Sequence, residues 1–182
     1  HQCIPIALQD KDIVGIAQTG TGKTLAFGLP MIQRLSIYKA QGLILLPTRE
    51  LALQVDEVIN KIGRSLGLKT TVLIGGAPMN QQIQSLRRNP HIIVATPGRM
   101  IDHLNQKTIT LQNIKIIVLD EADRMLDIGF MPQIVEILKN APKERQTLMF
   151  SATMPQSVST LAARFMRLPL RIEVAPAGTP AV

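Results

Sequence analysis

The sequence has no tryptophan, one tyrosine and four phenylalanines, so aromatic residues fill only 3% of its 182 positions. That scarcity argues against a surface that grips bases by stacking on aromatic platforms. Any hold on a nucleic acid would fall to the phosphate–sugar backbone. There is one cysteine, Cys3. No disulfide can form within the chain, which fits a reducing compartment, and a small buried apolar role suffices for it. Apolar runs are short. None approaches the roughly 20 residues that span a bilayer, so no membrane association is expected. No basic segment followed by an apolar one opens the chain as a signal peptide would, and a cytoplasmic location is expected. Acidic residues are also in deficit, 13 against 20 Lys and Arg, for a formal charge of +7. The excess favours a polyanionic partner, although scattered charges of this kind mostly read as solvated faces.

What is present is apolar bulk, 46% of residues, enough for one domain with a substantial core. Runs rich in Val, Ile and Leu recur at Ile13–Ala17, Leu43–Leu46, Thr71–Ile74, Ile92–Ala95, Ile116–Leu119 and Thr147–Phe150. A shorter one follows at Arg171–Val174. They are nearly continuous in apolar character, as strands buried on both faces are. Between them lie helical patterns at Lys23–Ile37, Arg49–Leu66, Asn80–Arg88, Arg99–Leu104, Pro132–Leu138 and Gln156–Met166. This alternation predicts an α/β fold, a doubly wound, mainly parallel sheet with helices on both faces. The domain is expected to span residues 1–174. The Pro, Ala and Gly-rich end, 175–182, reads as a linker leaving it. His1 stands inside what reads as a helix, so the chain is expected to be part of something longer.

Six polar or glycine-rich clusters each follow one of the strands directly. In a parallel sheet the carboxyl ends of the strands share one edge, and ligands of open α/β sheets bind outside that edge. Six clusters far apart in sequence would therefore meet on one rim.

The first cluster, Gln18-Thr19-Gly20-Thr21-Gly22-Lys23-Thr24, bridges a strand and a helix. Its glycines allow a nest of inward-pointing N–H groups, and the helix N-terminus adds a field that favours an anion. Lys23 can reach β- and γ-phosphates, and the Thr24 hydroxyl can ligate Mg²⁺. The usual phosphate-loop pattern has glycine where this chain has Ala17, a departure that the loop geometry tolerates. In the fifth cluster, Asp120 ends an apolar strand, as the Mg²⁺-holding aspartate of P-loop enzymes does. Glu121 follows as the candidate to orient and deprotonate an attacking water. Helix capping by Asp120, with Asp123 as a dipole partner, is the plainer reading and is compatible with the first.

The ordered motifs are AQTGTGKT at 17–24, PTRELA at 47–52, GG at 75–76, TPGR at 96–99, DEAD at 120–123 and SAT at 151–153. With them the chain resembles the N-terminal RecA-like domain of DEAD-box ATP-dependent RNA helicases over nearly its whole length. The resemblance implies that ATP and Mg²⁺ bind at Ala17–Thr24 and Asp120, with Lys23, Asp120 and Glu121 catalytic. It implies that Pro47, Thr48, Arg49, Gly75, Gly76, Thr96, Gly98 and Arg99 contact the RNA sugar–phosphate backbone, a recognition that reads no sequence. Ser151 and Thr153 would bond toward Asp123 and link the nucleotide site to the RNA rim. By spacing alone, Gly75-Gly76 is equally a plain turn, and Arg49 and Arg99 are ordinary solvated residues at helix starts.

Two departures accompany the resemblance. The family's adenine-reading glutamine would fall one residue ahead of His1, and Gln2 does not match it. The family's second RecA-like domain, which supplies arginines to the ATP site and half of the RNA groove, has no counterpart in these 182 residues. An ATPase motor that separates RNA duplexes is the leading expectation. A nucleotide-gated RNA clamp uses the same residues. A P-loop enzyme acting on DNA or a small substrate is the third reading, since nothing in the sequence itself shows recognition of a 2′-hydroxyl.

Overall fold

A computed structural model describes residues 10–17, 21–37 and 39–174. The expected linker at 175–182, the start of the chain at 1–9, and Gln18, Thr19 and Gly20 lie outside the described residues.

Seven strands form one sheet. They are β1 (Ile13–Ala17), β2 (Gln41–Leu45), β3 (Thr70–Leu73), β4 (Ile92–Ala95), β5 (Ile114–Leu119), β6 (Gln146–Ser151) and β7 (Leu170–Val174). Every pairing is parallel, in the order β3-β4-β2-β5-β6-β1-β7. Seven helices join them: α1 (Thr21–Ile37), α2 (Arg49–Gly63), α3 (Met79–Arg87), α4 (Pro97–Asn105), α5 (Ala122–Ile128), α6 (Met131–Asn140) and α7 (Gln156–Phe165). The doubly wound α/β architecture predicted from the sequence is the one observed.

The inner strands of the sheet feed two cores because their residues alternate between faces. Ile44 and Leu46, Ile92 and Val94, Ile116 and Val118 point into the core capped by α1 and α2. Leu43 and Leu45, Ile93 and Ala95, Ile117 and Leu119 point into the opposite core, under residues of α3 to α7. The assignment of helices to faces follows from handedness. Steps from β1 to β2 and from β2 to β3 run toward the β3 edge, and their helices α1 and α2 lie on one face. Steps from β3 to β4, β4 to β5, β5 to β6 and β6 to β7 run the other way. A right-handed crossover in the reverse direction puts its helix on the reverse face.

The differences from the sequence reading have local causes. The helix expected over Arg49–Leu66 tightens at its end into a 3₁₀ turn, Arg64–Leu66, which closes at Gly67 with φ of 72°. Glycine takes that left-handed conformation without strain. The short helix α5 is missing from the predicted helical patterns, although the capping reading of Asp120 implies a helix start there. Among its residues only Ala122 and Met125 are buried, too brief a stripe to show a helical period. Elsewhere the element ends shift by one or two residues. At α4 the cause is Pro97, whose fixed φ suits the first turn of a helix.

At the centre of the first core Phe150 meets Phe27 of α1, with ring centroids 5.5 Å apart and both side chains fully buried. This contact anchors the helix that carries Lys23 to the strand that carries Ser151. Phe150→Ala is expected to cost about 3–5 kcal/mol of stability through lost contacts and a residual cavity. Denaturant unfolding checks this, and a loss below about 1 kcal/mol would contradict the packing described.

Candidate functional site

The carboxyl ends of the strands lie in register along one edge. Leu45 pairs with both Ala95 and Leu119, Leu119 with Met149, and Ile16 with Ser151. The residues just beyond them, from six separate stretches of sequence, therefore share one rim. Strand order divides that rim into two halves. The clusters after β1, β5 and β6 sit at one end, and those after β2, β4 and β3 at the other.

In the first half, Lys23 and Thr24 stand in the first turn of α1, both buried. That turn contains no acidic residue, so the positive end of the helix field is left for another anion. The Lys23 Nζ lies 2.8 Å from Oδ1 of Asp120, and both side chains are buried. The Oδ1 takes this ion partner without a well-angled hydrogen bond. Burial pushes the Asp120 carboxyl above the usual carboxylate range, against the pull of the Lys23 ammonium. Asp120 does not cap a helix. Its N–H extends the sheet ladder to the carbonyl of Leu45 at 3.0 Å. The residue at the N-cap of α5 is Glu121, whose side chain makes no capping bond and whose backbone is left-handed, at φ 53° and ψ 51°. That conformation is uncommon outside glycine and clusters at functional sites. Here it turns the chain at the rim, and the two adjacent buried carboxyls still feel one another's charge.

A polyphosphate with a divalent cation fits these donors. A lysine, a hydroxyl and a helix N-terminus whose first turn holds no acidic residue suit phosphate oxygens. Among the described residues no three His, Cys, Asp or Glu side chains converge as a protein-only metal cage. Mg²⁺ ordinarily needs only one or two carboxylates when phosphates complete its shell.

Asp123 joins this half to the end of β6. Its N–H donates to the Ser151 Oγ at 3.1 Å, and its Oδ2 accepts from the Thr153 hydroxyl at 2.8 Å and the Thr153 N–H at 3.2 Å. Burial works to raise its pKa, but donation by Thr153, Arg124 and Ser151 outweighs it, and the carboxyl sits below its ordinary value.

The other half is organised around the turn after β3. Thr48 caps α2, its hydroxyl accepting from Leu51 N–H at 3.3 Å. Arg49 donates to the carbonyl of Gly75 at 3.4 Å, and Arg99 to that of Ala77 at 3.1 Å. Gly76 has φ of 77°, and a Cβ there would run into the Arg49 guanidinium. The positive φ is what favours glycine at this position, while the exposed Arg49 side chain could move aside. Thr96 is buried at the N-cap of α4, its N–H bonded to the carbonyl of Leu73 at 3.1 Å. Pro97 and Gly98 open α4, and Pro47 precedes the Thr48 cap. The two arginines are not freely solvated, since each is tied to the glycine turn. Two buried polar residues that the sequence reading did not single out, Gln82 and His103, lie beneath them. A glutamine four residues before the buried Leu86 on an amphipathic helix was the available signal, and it is a weak one.

The family model described as DEAD/DEAH box helicase matches residues 1–161. A protein named DEAD-box ATP-dependent RNA helicase CshA from Bacillus cereus (strain ATCC 10987) is 51% identical over 175 residues, covering 95% of this chain and 33% of that protein. The protein of the same name from Bacillus subtilis (strain 168) is 48% identical over 95% of this chain and 35% of its own length. The chain thus spans about a third of the length of these curated relatives. Among solved structures, a DEAD box protein from the hyperthermophile Methanococcus jannaschii superposes with a TM-score of 0.90 at 40% identity, over 96% of this chain and 48% of that one. A hypothetical ATP-dependent RNA helicase from Sulfolobus tokodaii gives 0.89 at 37% identity, over 95% and 51%.

The lowered pKa of Asp123 has a measurable consequence. Its carboxylate contributes stability that is present above its unfolded-state pKa and is lost as pH falls through the lower folded value. Thr153→Val removes the hydroxyl donor. It is expected to raise the Asp123 pKa and to cost about 0.5–1.5 kcal/mol at neutral pH. Carboxyl titration by NMR checks this, and an unchanged Asp123 pKa would contradict it.

Proposed function

Because this chain belongs to the DEAD/DEAH box helicase family, we propose that it is the first RecA-like domain of a cytoplasmic ATP-dependent RNA helicase. In this reading one half of the rim binds ATP with Mg²⁺ and the other binds the RNA backbone. The observation that carries the reading is the buried pairing of Lys23 with Asp120 at 2.8 Å, at the rim where the DEAD, SAT and phosphate-loop motifs meet.

Bound ATP–Mg²⁺ supplies the γ-phosphoryl group that water attacks. The chain's own residues hold and orient it. Lys23 turns its ammonium from Asp120 to the β- and γ-phosphates, and the N–H groups opening α1 donate to the phosphate oxygens. Thr24 and the carboxylate of Asp120 hold the metal. Glu121, set apart by its left-handed backbone, orients the attacking water and takes its proton. In the other half, Pro47, Thr48, Arg49, Gly75, Gly76, Thr96, Gly98 and Arg99 form the face for the RNA backbone. Contacts of this kind are insensitive to sequence and steeply dependent on salt. Asp123, Ser151 and Thr153 couple the two halves. A second RecA-like domain of the same protein closes over the rim and completes both sites.

The domain by itself lacks cationic charge on the far side of the γ-phosphate, where an arginine is worth about 10³–10⁵ in rate in P-loop enzymes. Residues 1–182 alone are therefore expected to be nearly inactive in a steady-state phosphate-release assay. The two-domain protein is expected to show RNA-stimulated turnover, and Glu121→Gln to abolish that turnover while ATP still binds. Full RNA-stimulated turnover from residues 1–182 alone would contradict the two-domain mechanism. Full turnover by Glu121→Gln would remove Glu121 from its role.

A further inference from the structure

Three backbone carbonyls of the turn after β3 are each taken by a side chain from a different helix. Gln82 of α3 donates its Nε2 to Ile74 at 2.8 Å, Arg49 of α2 donates to Gly75, and Arg99 of α4 donates to Ala77. Two of these side chains also meet each other, since Arg99 Nη1 lies 3.5 Å from Gln82 Oε1. Behind Gln82, its Oε1 lies 2.7 Å from Nε2 of His103, a residue with no exposed surface. The other ring nitrogen of His103 is 2.8 Å from the Thr108 hydroxyl.

The directions of the bonds that Gln82 makes are determined. A carbonyl can only accept, so the amide nitrogen of Gln82 faces Ile74. Its oxygen then faces Arg99, which can only donate. His103 must consequently carry a proton on Nε2 to bond the same oxygen. Burial, followed by the neighbouring Arg99 charge, holds the His103 pKa below its ordinary value. An apolar side chain such as methionine would fill the same space without the cost of burying an amide and an imidazole. What it would lose is the second tie between the glycine turn and Arg99, beside the direct bond from Arg99 to Ala77.

We infer that Gln82 is a positioning residue for the RNA-backbone face, its buried amide fixing the Ile74–Ala77 turn and the Arg99 guanidinium relative to one another, with His103 bracing the amide from behind. The inference rests on the proposal that Arg99 and the glycine turn bind the RNA backbone. Gln82 and His103 touch no RNA in this account. They remove in advance the motion of an arginine and a glycine turn that binding would otherwise have to freeze.

The test uses the intact protein that carries this domain, with single-stranded RNAs of unrelated sequence. Steady-state ATPase is measured against RNA concentration, and ATP affinity is measured without RNA. Gln82→Met is expected to raise the KM for RNA about tenfold, or about 1.4 kcal/mol, for all sequences alike. The kcat at saturating RNA and the RNA-free ATP affinity are expected to stay unchanged. Arg99→Ala is expected to raise the same KM, and the double variant to be no worse than Arg99→Ala alone. That lack of additivity is what coupled residues show. Effects that multiply in the double variant, or an ATP affinity that falls in step with RNA affinity, would mark Gln82 as a general structural residue and overturn the inference. Gln82→Leu likewise removes both the donor and the acceptor without adding a charge. It is expected to raise the KM for RNA in the same way, and it carries the same test should the methionine variant not fold. If Arg99→Ala weakens RNA binding and neither Gln82 variant does, the positioning role is wrong and the RNA-binding reading stands. If Arg99→Ala leaves RNA affinity unchanged, that reading fails and takes this inference with it.

Discussion

The buried pairing of Lys23 with Asp120 is the interaction on which the rest of this site depends. Two opposite charges out of water are tolerable only while each has a partner. Removing one partner from such a pair typically costs about 3–5 kcal/mol. In the structure the two satisfy one another. In the proposed complex phosphate replaces Asp120 as the partner of Lys23, and Mg²⁺ replaces Lys23 as the partner of Asp120. Burial raises the Asp120 pKa even beside the Lys23 ammonium, so the charged form of this carboxyl depends on a cation close by. The same desolvation that makes the pair costly makes the site strong, because charges interact far more strongly away from water.

The pair exists only because the sheet brings it together. Lys23 follows β1 and Asp120 follows β5, with β6 lying between them. The parallel register of β5, β6 and β1 places their ends level. Phe27 against Phe150 then fixes the helix that carries Lys23. Ser151, at the end of β6, closes the gap by accepting from Asp123. A displacement of β6 would therefore be felt in α5 and at the acidic pair together. On the far side of β5, β2 continues the rim to Arg49 and the glycine turn. The half proposed for the nucleotide and the half proposed for the RNA backbone are thus neighbours across a single strand boundary.

Most of this was legible in the sequence, for a physical reason. Strands buried on both faces must be nearly all apolar, so a polar cluster directly after such a run stands out. Parallel topology then forces the clusters onto one edge. Ile116–Leu119 followed by Asp120 and Glu121, and Thr147–Phe150 followed by Ser151, are the clearest cases. Other features had no such signal. The order of strands depends on contacts between distant segments, which no local window reports. The left-handed backbone of Glu121 is imposed by the turn from β5 into α5, since glutamate has no preference for it. Gln82 and His103 read as ordinary polar residues on amphipathic helices, and only the packing of α3 against α4 reveals that both are buried and bonded to each other.

The central claim, that Lys23 and Asp120 exchange one another for phosphate and metal, is tested most directly by calorimetric titration of Mg²⁺–ADP into the domain and its Lys23→Ala variant. The variant's fold is to be verified beforehand by circular dichroism. The account predicts that affinity falls by at least about tenfold, or about 1.4 kcal/mol, in a variant that remains folded. Undiminished Mg²⁺–ADP affinity in folded Lys23→Ala protein would contradict it.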